Sequence, residues 1–245
     1  MRANAEPSAV PLRWPPGLIP VRGIISVPHL LLDESGAVIL DTGLPPDGAR
    51  IKRSLERHGL GPGDVRAIIL THGHLDHAGG LTALKGWCGA PVYAHPLDQP
   101  HIDGTARVRG LARIGAAMEA AGRAFYRYRT VKIDVPLADG DELPFWGGLR
   151  VVHLPGHTMG HCGFYSAKHD LLFTADLWAR FMMMVQVSPA IFTAAPELVA
   201  PSFRKARTLG ARLIVPNHYG KPDGLRLRRI FENLCESLER RPAIV

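Results

Sequence analysis

Three histidines and one carboxylate stand within six residues in Thr71-His72-Gly73-His74-Leu75-Asp76-His77. Packing alone does not account for that density. A buried imidazole needs a hydrogen-bond partner, and three of them beside a carboxylate are costly without a shared ligand. A metal ion is such a ligand, because neutral imidazole and carboxylate are both good zinc donors. His72 and His74 are two apart, so on an extended segment they point the same way. Asp76 and His77 follow a bend and can face a second point, so one loop can serve two adjacent metal sites.

The elements that must carry these donors follow from the apolar runs. Residues 67–70 read as a short buried strand, and residues 81–85 begin a helix after Gly79-Gly80. The donor loop is therefore a strand-to-helix turn, the kind of loop where function concentrates. Upstream, residues 24–32 and 37–40 form a hairpin ending in Asp41-Thr42-Gly43, and 47–60 form a helix stopped by Gly61. Downstream, residues 91–94 and 149–154 are strands, the second leading into Pro155-Gly156-His157-Thr158. Residues 163–166 and 171–174 make another hairpin whose far strand delivers Asp176. Residues 196–209 are helical, 212–215 extended, then His218 follows, and 223–240 form the last helix. Four donor groups, the 72–77 cluster, His157, Asp176 and His218, thus each follow a short apolar strand. Such groups converge at one edge of a sheet scaffold.

Residues 104–130 stand apart as a helical insert. Leu111, Ile114 and Met118 give it an apolar stripe among several arginines, and Phe125, Tyr126 and Tyr128 crowd its end. An insert in that place covers the site and shapes a pocket. The competing reading is an outer helix with its arginines in water.

The chain has 245 residues, 46% of them apolar, and is read as one domain, 1–245. Its three cysteines are widely spaced, which fits a reducing cytoplasm better than a disulfide framework. No apolar run is long enough to span a membrane, and residues 1–20 lack the apolar core of a signal peptide. The net charge of +7 is read as a solvated arginine-rich surface rather than a nucleic-acid footprint.

The pattern H-x-H-x-D-H (His72, His74, Asp76, His77), then His157 in Pro-Gly-His-Thr, Asp176 and His218, resembles the metallo-β-lactamase fold superfamily. The likeness runs from about residue 24 to 218. It implies an α/β, four-layer αββα sandwich with metals at one edge of the sheets. It also implies two divalent ions, zinc first, with manganese or iron as alternatives. His72, His74 and His157 would hold one, Asp76, His77 and His218 the other, and Asp176 would bridge them. Asp41 resembles the family's supporting carboxylate, which orients a ligand imidazole by accepting its other N–H. The implied chemistry is attack by a metal-bridging hydroxide on a small ester, lactone or thioester, with Asp76 as proton carrier.

Tyr219 and Tyr126 are candidate substrate contacts. Met183, in the apolar stretch 181–185, is a third, followed by Ile191 and Phe192. His161 is expected beside the site and off the metal. His29, His58, His101, His153 and His169 are read as packing or surface. The expected partner is a small-molecule substrate, with no nucleic acid and no membrane, in a monomer or homo-oligomer. Two alternatives are a mononuclear iron oxygenase like persulfide dioxygenases and a nucleic-acid phosphodiesterase.

Overall fold

The computed structural model describes residues 14–181, 184–220 and 224–240. Two sheets lie face to face with helices on their outer faces, the four-layer αββα arrangement that the sequence implies. The first sheet runs in chain order through β1 (Leu18–Pro20), β2 (His29–Asp33), β3 (Gly36–Leu40), β4 (Val65–Ile69), β5 (Val92–Ala94) and β6 (Val135–Pro136). The second contains β7 (Glu142–Leu143), β8 (Leu149–His153), β9 (Cys162–Ser166), β10 (Leu171–Ala175) and β13 (Leu213–Pro216), in the order β13-β10-β9-β8-β7. A separate hairpin joins β11 (Trp178–Phe181) to β12 (Met184–Val187).

Strand β4 shows why the apolar runs are continuous rather than alternating. Ala67 and Ile69 point into the core between the sheets, where they meet Val151, Phe164, Phe173 and Val215. Their neighbours Ile68 and Leu70 point the other way. There they pack with Ile51 and Leu55 of α1 (Asp47–Arg57) and Leu81 and Leu84 of α3 (Leu81–Cys88). From residue 67 on, this strand is covered on both faces and has no side left for polar residues, while Arg66 near its start is exposed. The second sheet is covered in the same way. Leu172 and Ile214 pack under Phe203 of α6 (Val199–Thr208) and Phe231 of α7 (Gly224–Arg240), whose rings stack 5.6 Å apart.

The remaining helices lie near the ends of the first-sheet strands. The very short α2 (Leu75–Ala78) carries the donor loop, α4 (Gln99–Asp103) follows β5, and α5 (Ala112–Phe125) is the body of the insert. None of the described helices is long and apolar enough to cross a membrane.

Two sequence readings change here. The first hairpin begins at His29, not residue 24, and Ile24 and Ile25 are about half exposed. In α5, the stripe of Leu111, Ile114 and Met118 faces solvent, with 51–59% of each residue exposed. The buried face of that helix carries Ala112 and Gly115 instead. Periodicity finds a stripe on a helix, but small residues permit the closest approach and so decide which face turns inward.

Replacing Ile69 by Ala is therefore expected to cost about 2–5 kcal/mol of stability, as other large-to-small core changes do. Met118→Ser should stay within about 0.5 kcal/mol of the parent, the usual range for a surface position. Urea unfolding of both variants checks the assignment of faces.

Candidate metal centre

Donors from both sheets meet at one end of the sandwich. His72 and His74 leave the end of β4, and His74 caps α2, which carries Asp76 and His77. His157 comes from the loop after β8, Asp176 directly follows β10, and His218 follows β13. The donor atoms of these residues form three overlapping groups: His72, His74 and His157; Asp76, His77 and His218; and His72, His77 and Asp176; a fourth group joins His74 to His101 and Glu119. Within each group, all atoms lie within 4.8 Å of one another. The seven residues singled out in the sequence are thus brought together.

The outer nitrogens of these imidazoles are held by the chain. Thr71 Oγ1 donates to Asp41 at 2.8 Å and lies 3.0 Å from His72 Nδ1, so it accepts from that ring. Asp41 also accepts from the Thr71 amide and from His77 Nδ1, at 2.8 and 3.0 Å, and the Asn217 side-chain amide donates to it. Ser188 Oγ contacts His157 Nδ1 at 2.5 Å. The inner Nε2 atoms then face one another, 3.2 Å apart for His72 and His157 and 3.4 Å apart for His77 and His218. Where Nδ1 carries the ring's proton, Nε2 presents a lone pair. The facing lone pairs of the neutral His72 and His157 rings need a cation between them, and the His77–His218 pair needs either a proton or a metal ion there.

The carboxylates make the same demand. Asp176 lies 3.1 Å from His218 Nε2, 3.5 Å from His77 Nε2 and 3.7 Å from His157 Nε2. Its Oδ1 is buried with no hydrogen-bond partner. Burial opposes charge on His77, yet Asp176, Asp76 and Asp41 raise its pKa well above the ordinary value. Burial likewise opposes charge on His218, but Asp176 and Asp76 push it up to about 10. Burial alone would raise the carboxyl pKa values, but the same two imidazoles hold Asp76 and Asp176 below the usual range. His72 and His157 go the other way, driven well below the ordinary imidazole value by burial and by neighbouring rings. The neutral rings of His72 and His157, the ionised carboxylates of Asp76 and Asp176 and an orphaned carboxylate oxygen fit a pair of divalent ions, which would replace the protons that His77 and His218 otherwise hold.

Backbone strain is stored around these groups. Asp41 and Ala175 both adopt left-handed backbone, at φ 61° and 43°. Non-glycine residues in this region cluster at functional sites, where the surrounding structure must hold them. His161 helps to hold Ala175's successor. Its Nδ1 donates to the Leu154 carbonyl at 2.9 Å, so its Nε2 accepts the Asp176 amide at 3.1 Å. It lies beside the site and off the donor groups, as expected.

Sequence reasoning missed Asp98, a fully buried residue just after β5. One carboxylate oxygen accepts from the Gly73 amide and Thr158 Oγ1 at 2.7 and 2.8 Å, and the other from the Gly160 amide at 2.9 Å. Asp98 therefore stitches the His72–His74 segment to the His157 loop. A Cβ at Gly160 would come within 2.8 Å of Asp98, so this approach requires glycine. Ser188 and Asn217 were also missed. All three are common residue types in no recognisable pattern, whose partners lie far along the chain.

The insert grips the same loop. Glu119 accepts the Leu75 amide at 2.8 Å. Arg123 donates to the carbonyls of Gly73, His101 and Ile102 and lies over the Tyr128 ring. The insert thus shapes the site rather than standing apart in water. His101, read as packing or surface, packs edge-to-face on His74 at 5.2 Å. His95 stacks on His153, and His169 stacks on Trp146.

The two tyrosine candidates have these partners. The Tyr219 hydroxyl is hydrogen-bonded to His29 at 2.9 Å, and its ring packs against the core. Burial raises its pKa above the usual phenol value. Tyr126 caps the end of α5 and packs on the exposed Phe125. Both are occupied by neighbours that sequence cannot reveal. Met183 lies outside the described residues.

The sequence profile of the Metallo-beta-lactamase superfamily matches residues 24–218. The Bacillus subtilis protein named Probable metallo-hydrolase YflN is 26% identical over 82% of this chain and 82% of its own length. The Hydroxyacylglutathione hydrolase GloC of Haemophilus influenzae is 28% identical over 59% of this chain and 62% of its own. The chain spans 66% of the length of mycobacterial proteins to which it is 33% identical. A crystal structure of a metallo-beta-lactamase family protein from Thermus thermophilus superposes with a TM-score of 0.69 at 25% identity, covering 91% of this chain and 80% of that one.

Asp98→Ala leaves three buried donors unpaired, so it is expected to cost about 3 kcal/mol or more, at roughly 1–3 kcal/mol per orphaned group. Because two ligand loops loosen together, metal affinity should also fall about 10- to 100-fold, as it does when groups supporting metal ligands are removed. Thermal unfolding and a chelator competition read the two effects separately.

Proposed function

Because the chain belongs to the metallo-beta-lactamase superfamily, we propose that it is a dinuclear metal-dependent hydrolase of a small ester, lactone or thioester. The observation that carries this reading is the closed donor set, in which Asp176 lies between two histidine groups with one buried oxygen unpaired. His72, His74 and His157 would hold one divalent ion, and Asp76, His77 and His218 the other, with Asp176 shared. Zinc is the first expectation for an all-imidazole and carboxylate set. When bound, such ions make water nucleophilic at neutral pH and polarise a carbonyl oxygen.

The chain's own residues supply the rest. The Asp76 side chain is 22% exposed, the most open carboxylate of the set, and Asp176 is 9% exposed. Asp76 can therefore meet a substrate, take the proton from the attacking water and return it to the leaving group. His77 and His218, 3.6 and 3.3 Å from its Oδ2, keep that carboxylate aimed and ionised. Asp41, Thr71 and Ser188 fix the rings, so little reorganisation is left for the reacting state. The Haemophilus relative's name supports including thioesters among the substrates.

The test begins with elemental mass spectrometry on protein purified without a metal-binding tag, followed by a panel of lactones, esters and thioesters. About two ions per chain and hydrolysis within the panel are expected. One iron per chain with oxygen uptake on persulfides would replace this reading. Asp76→Ala should lower turnover about 100-fold or more, the usual weight of a proton carrier, with the fold retained. Asp176→Ala should lose metal on dialysis, and an unchanged metal content would reject it as the shared ligand.

A further inference from the structure

Helix α5 turns its small residues inward and its large ones outward. Ala112 and Gly115 are buried. With Ala116 they line one side of a hollow beside His74 and His157. A Cβ at Gly115 would stand 2.1 Å from the Ile191 carbonyl oxygen, so glycine lets the helix approach this closely. On the outside, Leu111, Ile114, Met118 and Phe125 recur at helical spacing and fall on one narrow stripe. Phe125 is 79% exposed, and the other three are more than half exposed. Ala117 and Ala121, also exposed, widen the apolar face. Large apolar side chains gathered on one exposed face mark an interaction site, whereas scattered ones do not.

The flanks of this face are basic. Arg107 and Arg109 precede the helix, Arg113 lies in its first turn, and Arg127 and Arg129 follow its end. All five are exposed, and none forms an ion pair among the described residues. Arginine in a first turn opposes the helix dipole, so local stability does not account for Arg113. The one carboxylate in residues 104–130, Glu119, is turned inward, where it accepts the Leu75 amide and lies 3.8 Å from Arg123. The outer side of the insert therefore offers apolar groups and positive charge with no acid between them.

We propose that α5 docks on an anionic lipid surface, its apolar stripe entering the boundary between headgroups and acyl chains and its arginines meeting the headgroup anions. A convex apolar helix face bracketed by cations suits such a surface. A second copy of the chain would bring like charges together across a symmetric contact. An RNA strand would pair with the arginines and leave the apolar stripe in water. No described helix is long and apolar enough to cross a bilayer, so the contact is with its surface alone. The expectation of no membrane contact rested on the lack of a spanning segment, which a surface-lying helix does not need. Docking would bring the hollow behind α5 close to the lipid. The inference does not depend on the hydrolase reading.

The experiment is flotation of the full-length protein with vesicles of phosphatidylcholine alone, or of equal parts phosphatidylcholine and phosphatidylserine. Binding to the mixed vesicles is expected to be at least about 10-fold tighter and to weaken as salt rises. Met118→Ser combined with Phe125→Ser should lower it about 10-fold, because two apolar groups no longer leave water. Arg127→Gln combined with Arg129→Gln should lower it about 30-fold on mixed vesicles only. Arg53→Gln with Arg57→Gln on α1, an equal loss of charge elsewhere, should change it less than about 3-fold. No binding to either vesicle, equal binding to both, or binding that the α5 variants leave unchanged would overturn the proposal. So would tighter binding to a single-stranded RNA, or a dimer in sedimentation velocity that Met118→Ser with Phe125→Ser dissolves, since either gives the face a different occupant.

Discussion

Asp176 brings a negative charge into a buried space that it shares with the inner nitrogens of His77, His157 and His218. An ionised carboxylate removed from water must be paired or coordinated. Much of the surrounding architecture meets that demand. The left-handed turn at Ala175 redirects the chain after β10, and the neutral His161 ring holds the Asp176 amide. On the other side, Asp41 ties Thr71, His77 and Asn217 into one buried network. These contacts keep the donors close even though like groups repel.

The two-sheet frame makes this convergence stable. Donors from β4 and α2 belong to the first sheet, while Asp176 and His218 follow neighbouring parallel strands of the second. The core between the sheets fixes their relative position. Asp98 adds a polar stitch across the same seam, from the loop after β5 to both the His72–His74 segment and the His157 loop. A rigid apolar core alone would leave those loops free to move. One buried carboxylate with three short hydrogen bonds couples them.

The insert adds a second layer of control. Its helix is attached to the donor loop through Glu119 and Arg123, and its small residues form one wall of the hollow beside His74 and His157. Its large apolar residues point outward. The division is physically consistent, because bulky side chains on the inner face would fill the hollow and push α5 away from Ile191.

Most of the longer strands, the helices flanking them and the seven donor positions were legible in the sequence, because each rests on a local signal. Buried strands read as short apolar runs, and His72, His74, Asp76 and His77 lie within one turn of chain. The weight of Asp98, Ser188 and Asn217 was not legible, since each acts through a partner 25 or more residues away and none stands in a pattern. The orientation of α5 was equally hidden. A helical stripe gives a period, but not which face has a neighbour close enough to require glycine. The partner of the Tyr219 hydroxyl was hidden for the same reason, since Tyr219 is adjacent in sequence to His218 yet bonded to His29. By itself, then, the sequence determined the donor chemistry and the elements that carry it. Only the tertiary structure decided which side chains meet, because meeting depends on packing distances between segments that the sequence separates.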